Sequence, residues 1–285
     1  MSTDRLSVRK TYKLYVGGAF PRSESGRSYT VNDAKGNFAA NASRASRKDV
    51  RDAVVAARKA QPGWAGRTPY NRGQILYRIA EMLEGRRGQF TDELRIAGLG
   101  KAAATAEVDA AVDRWVWYAG WADKIAQITG TANPVSGPFF NFSTPEPTGV
   151  IGIIAPDGPL LGLVSVLAPA ILTGNTTIVI ASEPAPLPAI TLAEVLATSD
   201  LPAGVINILT GHRTELAPWL ASHMDVNGLD LTGASGDLAI ECEKAAAENL
   251  KRVLPPTMND WATDPGTARM TAFLETKTVW HPVGV

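Results

Sequence analysis

Four turns gather most of the residues in this chain that could do chemistry. Pro156-Asp-Gly158, Ser182-Glu183, Gly211-His212 and Gly233-Ala-Ser235 each follow a short run of apolar residues. Each run alternates with a helical stretch, and ligands on sheets built that way sit at the carboxyl ends of the strands. A helix starting after Gly233 would offer free N–H groups to an anion. The only thiol is Cys242. A thiolate nucleophile needs an exposed, electropositive setting. Cys242 instead shares an apolar helical stripe with Leu238, Ala245 or Ala246, Leu250 and Val253, so it reads as a small buried hydrophobe. His212, His223 and His281 are scattered, with no spacing suited to a metal. Trp115, Trp117, Tyr118 and Trp121 read as core or interface.

These turns need a framework. Val150 to Ala155, Thr177 to Ala181, Val205 to Leu209 and Gly228 to Leu231 read as strands. Helices over Leu160 to Leu172, Ala189 to Thr198, Glu215 to Ser222 and Asp237 to Val253 follow them in turn. The alternation predicts an α/β fold with a doubly wound, parallel, Rossmann-like sheet. Ahead of it, Leu14-Tyr-Val-Gly-Gly18 and Tyr29-Thr-Val31 read as short strands. Ser46-Arg-Lys-Asp49 reads as a capping box. Helices follow from there, from Asn71, and from about Thr105 to Ile128. The last is apolar on two faces, one through Trp115 and one through Trp117 and Trp121, so it is expected to be sandwiched. Thr129 to Thr148, rich in Gly, Pro and Ser, reads as an extended arm or hairpin. The expected organisation is an N-terminal helical part over 1–128, an arm over 129–148 and the Rossmann-like fold over 149–253. A linker over 254–266 and a terminal helix and strand over 267–285 complete it.

Twenty-eight basic residues balance 28 acidic ones, which argues against a nucleic-acid or membrane partner. The segment from Met1 to Lys13 has no apolar stretch resembling a signal peptide, and Leu160 to Leu172 is too short to span a bilayer. A single cysteine fits a reducing compartment. Together these predict a cytoplasmic protein.

The motifs resemble the NAD(P)-dependent aldehyde dehydrogenase superfamily. Tyr15-Val-Gly-Gly18, Asp49-Val-Arg-Asp-Ala-Val-Val-Ala-Ala-Arg58, Trp64 and Arg72 to Leu83 match its N-terminal part. Gly149 to Pro156, Gly174-Asn175-Thr176, Leu201-Pro-Ala-Gly204 and Glu248-Asn-Leu-Lys-Arg252 match its cofactor domain, and Phe273 to Trp280 resembles its C-terminal oligomerisation strand. The resemblance implies a truncated member, with a linker where the catalytic domain and its cysteine and glutamate would lie. It implies cofactor contacts at Pro156, Ser182, Glu183, Gly233 and Ser235, and no catalytic or metal residue. It also implies departures. Pro156-Asp-Gly-Pro159 lacks the oxyanion asparagine, Ile180 stands where a ribose-binding lysine is expected, the turn Gly211-His212-Arg213 is thinned, and Leu238 replaces a glycine. Weak NAD or NADP binding, with no cofactor required, follows from these. Glu183 reads equally well as a ribose ligand and as a solvated strand-end charge.

Three functions stay open at this point. One is a catalytically silent structural or regulatory subunit in a hetero-oligomer with a full-length aldehyde dehydrogenase. Another is an NAD(P)-dependent oxidoreductase turning an aldehyde into a carboxylic acid, and the third is a stand-alone nucleotide-binding module. The resemblance further implies that the terminal strand, Lys277 to His281, extends a neighbour's sheet rather than pairing within its own subunit.

Overall fold

Strong apolar runs and glycine-marked turns set the architecture of the computed structural model, which describes residues 8–257 and 259–284. The chain opens with an antiparallel hairpin, β1 (Ser28–Asn32) and β2 (Phe38–Ser43). Five helices follow: α1 (Arg47–Ala65), α2 (Pro69–Glu84), α3 (Arg87–Ile96), α4 (Lys101–Trp121) and α5 (Ile125–Thr129). The arm is β3 (Thr131–Asn133) and β4 (Phe139–Pro147). The alternating part runs β5 (Val150–Ile154), α6 (Leu161–Leu172), β6 (Thr176–Ile180), α7 (Leu187–Leu196), β7 (Ile206–Leu209), α8 (Arg213–Ser222), β8 (Gly228–Asp230), α9 (Gly236–Ala247) and β9 (Arg252–Leu254). α10 (Ala268–Thr271) and β10 (Leu274–Pro282) close the chain.

β5 to β9 form one parallel sheet in the order β7-β6-β5-β8-β9. The order reverses between β5 and β8, which makes the turns after those two strands the switch point. β5 and β6 are buried on both faces, as their unbroken Val and Ile runs demand, because helices cover each side. One apolar layer, with α1, α8 and α9, includes Val54, Leu216, Leu220 and Cys242. The opposite layer, with α2, α4, α6 and α7, includes Ile79, Trp115, Leu167 and Ile190. α6 is buried along its whole length. On α4 the Trp115 stripe is fully buried, while Trp117 and Trp121 are half-buried. At the start of α1 the Asp49 carboxylate accepts from the Ser46 N–H at 2.7 Å.

Several elements differ from the sequence reading. The long helix expected over Asp237 to Val253 stops at Ala247. Leu250 adopts φ 55°, its N–H reaches the Ala247 carbonyl, and the Lys251 N–H reaches the Ala246 carbonyl. These are the bonds of a Schellman motif, here with leucine in the left-handed position that glycine usually holds. Leu250 is consequently 90% exposed rather than part of the Cys242 stripe. The chain then turns back and forms β9, a fifth strand where the sequence reading placed the end of the helix. The helix expected from about Thr105 starts at Lys101 and breaks before α5. α3 and β2 are additional, and Leu14 to Gly18 contributes only bridges, one of them antiparallel from Tyr15 to Ile208 on β7.

The terminal strand corrects a larger expectation. β10 pairs with β4 of the same chain from Leu274 opposite Pro147 to Pro282 opposite Phe139. With β3 it makes a three-stranded antiparallel sheet in the order β10-β4-β3. One edge of β10 is therefore satisfied internally, and the other has no partner among the described residues. Phe273, 2% exposed, anchors this sheet to the body. Its carbonyl accepts from Asn175 Nδ2 at 3.0 Å and from the Thr148 N–H at 3.2 Å.

Candidate functional site

The turns after β5, β6, β7 and β8 come together at the carboxyl edge of the sheet, as their sequence pattern requires. Pro156 is half-buried after β5. Ser182, 5% exposed, turns its hydroxyl inward to accept from the Ala185 N–H at 3.3 Å. Gly233 packs so closely that a Cβ there would lie 1.9 Å from the Ala155 carbonyl oxygen, which admits glycine only. Ser235 caps α9 with extended backbone but makes no side-chain cap hydrogen bond, and it is exposed. Leu238 is half-buried against the apolar layer.

Glu183 is committed to its own chain. One carboxylate oxygen bonds His212 Nδ1 at 2.6 Å, and the other accepts from the Arg213 N–H at 3.1 Å. Burial alone would raise its pKa. The His212 and Arg213 hydrogen bonds and charges outweigh burial and hold the carboxyl below its ordinary range. Tyr29 of β1 stacks near His212, with ring centroids 5.8 Å apart. Its buried hydroxyl has no hydrogen-bond partner among the described residues, and burial followed by the Glu183 charge pushes its pKa up.

Arg213 is the residue that the sequence reading underweighted. Its side chain is only 13% exposed and bridges the switch point. Nη2 donates to the Ala155 carbonyl at the end of β5 at 2.8 Å, and Nη1 to the Gly233 carbonyl after β8 at 3.2 Å. Nη2 also pairs with Asp157 at 2.6 Å. An arginine opening the helix after β7 is the only local signal, since its acceptors are far away in sequence. Beside it lies an open cavity of about 400 Å³, walled by Tyr29 to Asn32 of β1 and by Asp157, Glu183, Pro184 and Arg213. Two carboxylates face one guanidinium there, so this space is not electropositive.

Residues 20–255 match the aldehyde dehydrogenase family. The chain belongs to that family. It is 35% identical to cytosolic aldehyde dehydrogenase 1 of Elephantulus edwardii over 254 residues, 85% of this chain and 49% of that protein. It is 33% identical to human retinal dehydrogenase 2 over 259 residues, 88% of this chain and 49% of that protein. Among solved structures, the NAD+ complex of aldehyde dehydrogenase from Bacillus cereus superposes with a TM-score of 0.81 at 27% identity, covering 86% of this chain and 50% of that one. HpcC from Thermus thermophilus also gives 0.81, at 29% identity, over 86% of this chain and 47% of that one. The chain thus spans about half the length of the relatives it matches.

Membership implies a dinucleotide at the switch point, and the structure supplies a test of fit. A phosphate beside β5 and β8 needs free N–H donors and no nearby anion. Arg213 already bridges these two turns, Asp157 adds a carboxylate, and Glu183 is held by His212 and Arg213. The Asp157 and Glu183 carboxylates thus oppose an anion at this edge, while the amides at the start of α9 carry no side-chain cap. The family's thiol chemistry fares no better at Cys242. It lies on α9 with 0% exposure, and burial, then Glu241 and Glu243, push its thiol up to about 11. Among the described residues no helix is long and apolar enough to cross a membrane, and no cluster suited to a metal ion occurs.

Proposed function

We propose that this chain is a catalytically silent aldehyde dehydrogenase homologue that works as a subunit alongside a full-length relative. The observation that carries the reading is the Arg213 bridge. It uses the carbonyls of Ala155 and Gly233 and the Asp157 carboxylate to tie the cofactor edge together with the chain's own side chains. The buried, protonated thiol of Cys242 supports the same reading, because a thiol with a pKa near 11 is a poor nucleophile at neutral pH.

The three-stranded sheet supports the partnership. Phe139 and Trp280 meet edge to face at 5.7 Å and are 41% and 57% exposed, and Phe140, 52% exposed, stacks near Phe142. Apolar side chains beside an open strand edge are a hazard unless covered. A full-length relative offers a sheet to cover them. The test is co-expression with such a relative, followed by native mass measurement and by calorimetry with NAD and NADP. The expected result is a mixed oligomer, lost when residues 275–285 are removed, with no low-micromolar dinucleotide binding by this chain. A soluble homo-oligomer that ignores the partner overturns the subunit reading. Tight dinucleotide binding overturns the silent cofactor edge.

A further inference from the structure

A second cavity, of about 270 Å³, lies away from the switch point. Arg114 and Tyr118 of α4, Ser165 of α6 and Arg269 of α10 wall it, and the stretch 259–265 covers it. That stretch falls outside the residues matching the family, so the cover of the cavity, unlike its α4 and α6 walls, comes from beyond that match.

Arg114 is 8% exposed. Its Nη1 donates to Ser165 Oγ at 2.9 Å, and its Nη2 to the Trp261 and Thr263 carbonyls at 2.7 and 3.1 Å. Every one of these acceptors is neutral. Arg269 beside it is neutralised by Asp230 at 2.7 Å, whereas Arg114 has no carboxylate partner among the described residues. Removing a cation from water without a counter-ion is unfavourable, so buried charges are normally paired.

Tyr118 gives an independent pointer to a ligand. It is 0% exposed, and its hydroxyl has no hydrogen-bond partner among the described residues. Burial, tempered by the charges of Arg114 and Arg269 and by the Arg114 guanidinium facing the phenol oxygen, pushes the phenol up to about 12, so it keeps its proton and its O–H remains an unused donor. Such orphaned buried groups are rare in folded proteins. The two acidic residues at the cavity, Asp260 and Asp264, are exposed. Each is occupied by a turn amide, from Ala262 at 3.0 Å and from Gly266 at 2.9 Å.

We propose that this cavity binds a small organic monocarboxylate, one oxygen against Arg114 and the other accepting from the Tyr118 hydroxyl. A single negative charge with two acceptor oxygens matches one uncompensated guanidinium and one unused donor. A phosphate dianion carries more charge than the site neutralises, and Asp260 and Asp264 oppose the excess. The inference does not depend on the partnership argued above.

The test titrates the whole chain with acetate, propionate and inorganic phosphate at constant ionic strength, reading tryptophan fluorescence, to which Trp261 in the wall contributes, and calorimetry. A saturable change with the monocarboxylates, weaker or absent with phosphate, is expected. Tyr118→Phe keeps the ring and the fold but weakens that binding about tenfold. Arg114→Gln abolishes it, with circular dichroism checking that the chain stays folded. No saturable response to either monocarboxylate overturns the proposal. So does a Tyr118→Phe variant that binds like the parent, or a preference for phosphate.

Discussion

Arg213 and Arg114 are both mostly buried guanidiniums that donate to backbone carbonyls on segments distant in sequence, yet their surroundings differ in charge. Arg213 has Asp157 at 2.6 Å and the Glu183 carboxylate on its own backbone N–H. Arg114 has a serine and two carbonyls. In a chain with equal numbers of acidic and basic residues, the placement of carboxylates decides which cavity attracts an anion. The guanidinium at the cofactor edge, where the family expects an anion, is neutralised by the chain's own carboxylates. The cavity roofed by the tail, where the family match has ended, holds a buried guanidinium that no carboxylate touches among the described residues, its two aspartates being exposed and held by turn amides.

The largest effect should come from unbalancing the second region. Asp230 is buried and pairs with Arg269, while the Thr232 N–H donates to its other oxygen at 2.9 Å. Burial pushes its carboxyl up against the pull of Arg269. Asp230→Asn strands the Arg269 charge beside Arg114 and should lower stability by about 3–5 kcal/mol, the usual effect of breaking one side of a buried pair. Urea unfolding measures it. The double variant Asp230→Asn/Arg269→Gln should recover most of the loss, because the stranded charge is then gone. A single variant as stable as the parent would show that the second region tolerates unpaired cations, and the contrast with Arg213 would fail.

A smaller effect is expected at the first region. Arg213→Met keeps the apolar stem but removes the bridge between the turns after β5 and β8. The Asp157 side chain is 65% exposed and returns its charge to water. The carbonyls of Ala155 and Gly233 lose their side-chain donor, so a loss of about 1–3 kcal/mol is expected. Denaturant midpoints check it, and hydrogen exchange at the Gly233 turn should report local loosening. An unchanged midpoint would mean that the bridge is incidental.

The parallel sheet is legible in the sequence because buried parallel strands are unbroken apolar runs and their helices are amphipathic or wholly apolar. β9 is not, since Arg252-Val-Leu254 is too short to carry a period and follows a leucine in a conformation usually reserved for glycine. At the site, Gly233 and Glu183 are identifiable from their places at strand ends. Arg213 is hidden because a turn arginine reads as solvated unless one knows which carbonyls fold beneath it. Arg114 and Tyr118 are hidden for a related reason. They lie four residues apart on one face of α4, and only the cover from 259–265, unmarked by any local pattern, makes that face an interior. The arm is visible as an extended element, but the partner strand for β4 lies in the tail, and no local signal fixes a pairing over that separation.

Glu183 offers the finest test of how thoroughly the first region is neutralised. Its folded pKa lies below the ordinary value of 4.5, since hydrogen bonds and charges from His212 and Arg213 overcome burial. A depressed carboxylate binds protons less readily in the folded state than in the unfolded one. Its contribution is therefore fully present above the unfolded value and is lost as pH falls through the folded one. The side chain is 38% exposed, so solvent screening limits the contribution to about 0.5 kcal/mol. Urea unfolding at several pH values between about 5 and 3 should show a shallower acid-side decline for Glu183→Gln than for the parent. Stability at neutral pH should drop by no more than that same small amount. Identical slopes would mean that His212 and Arg213 do not favour the charged carboxylate, and that the cofactor edge is less fully neutralised than the contrast with Arg114 requires.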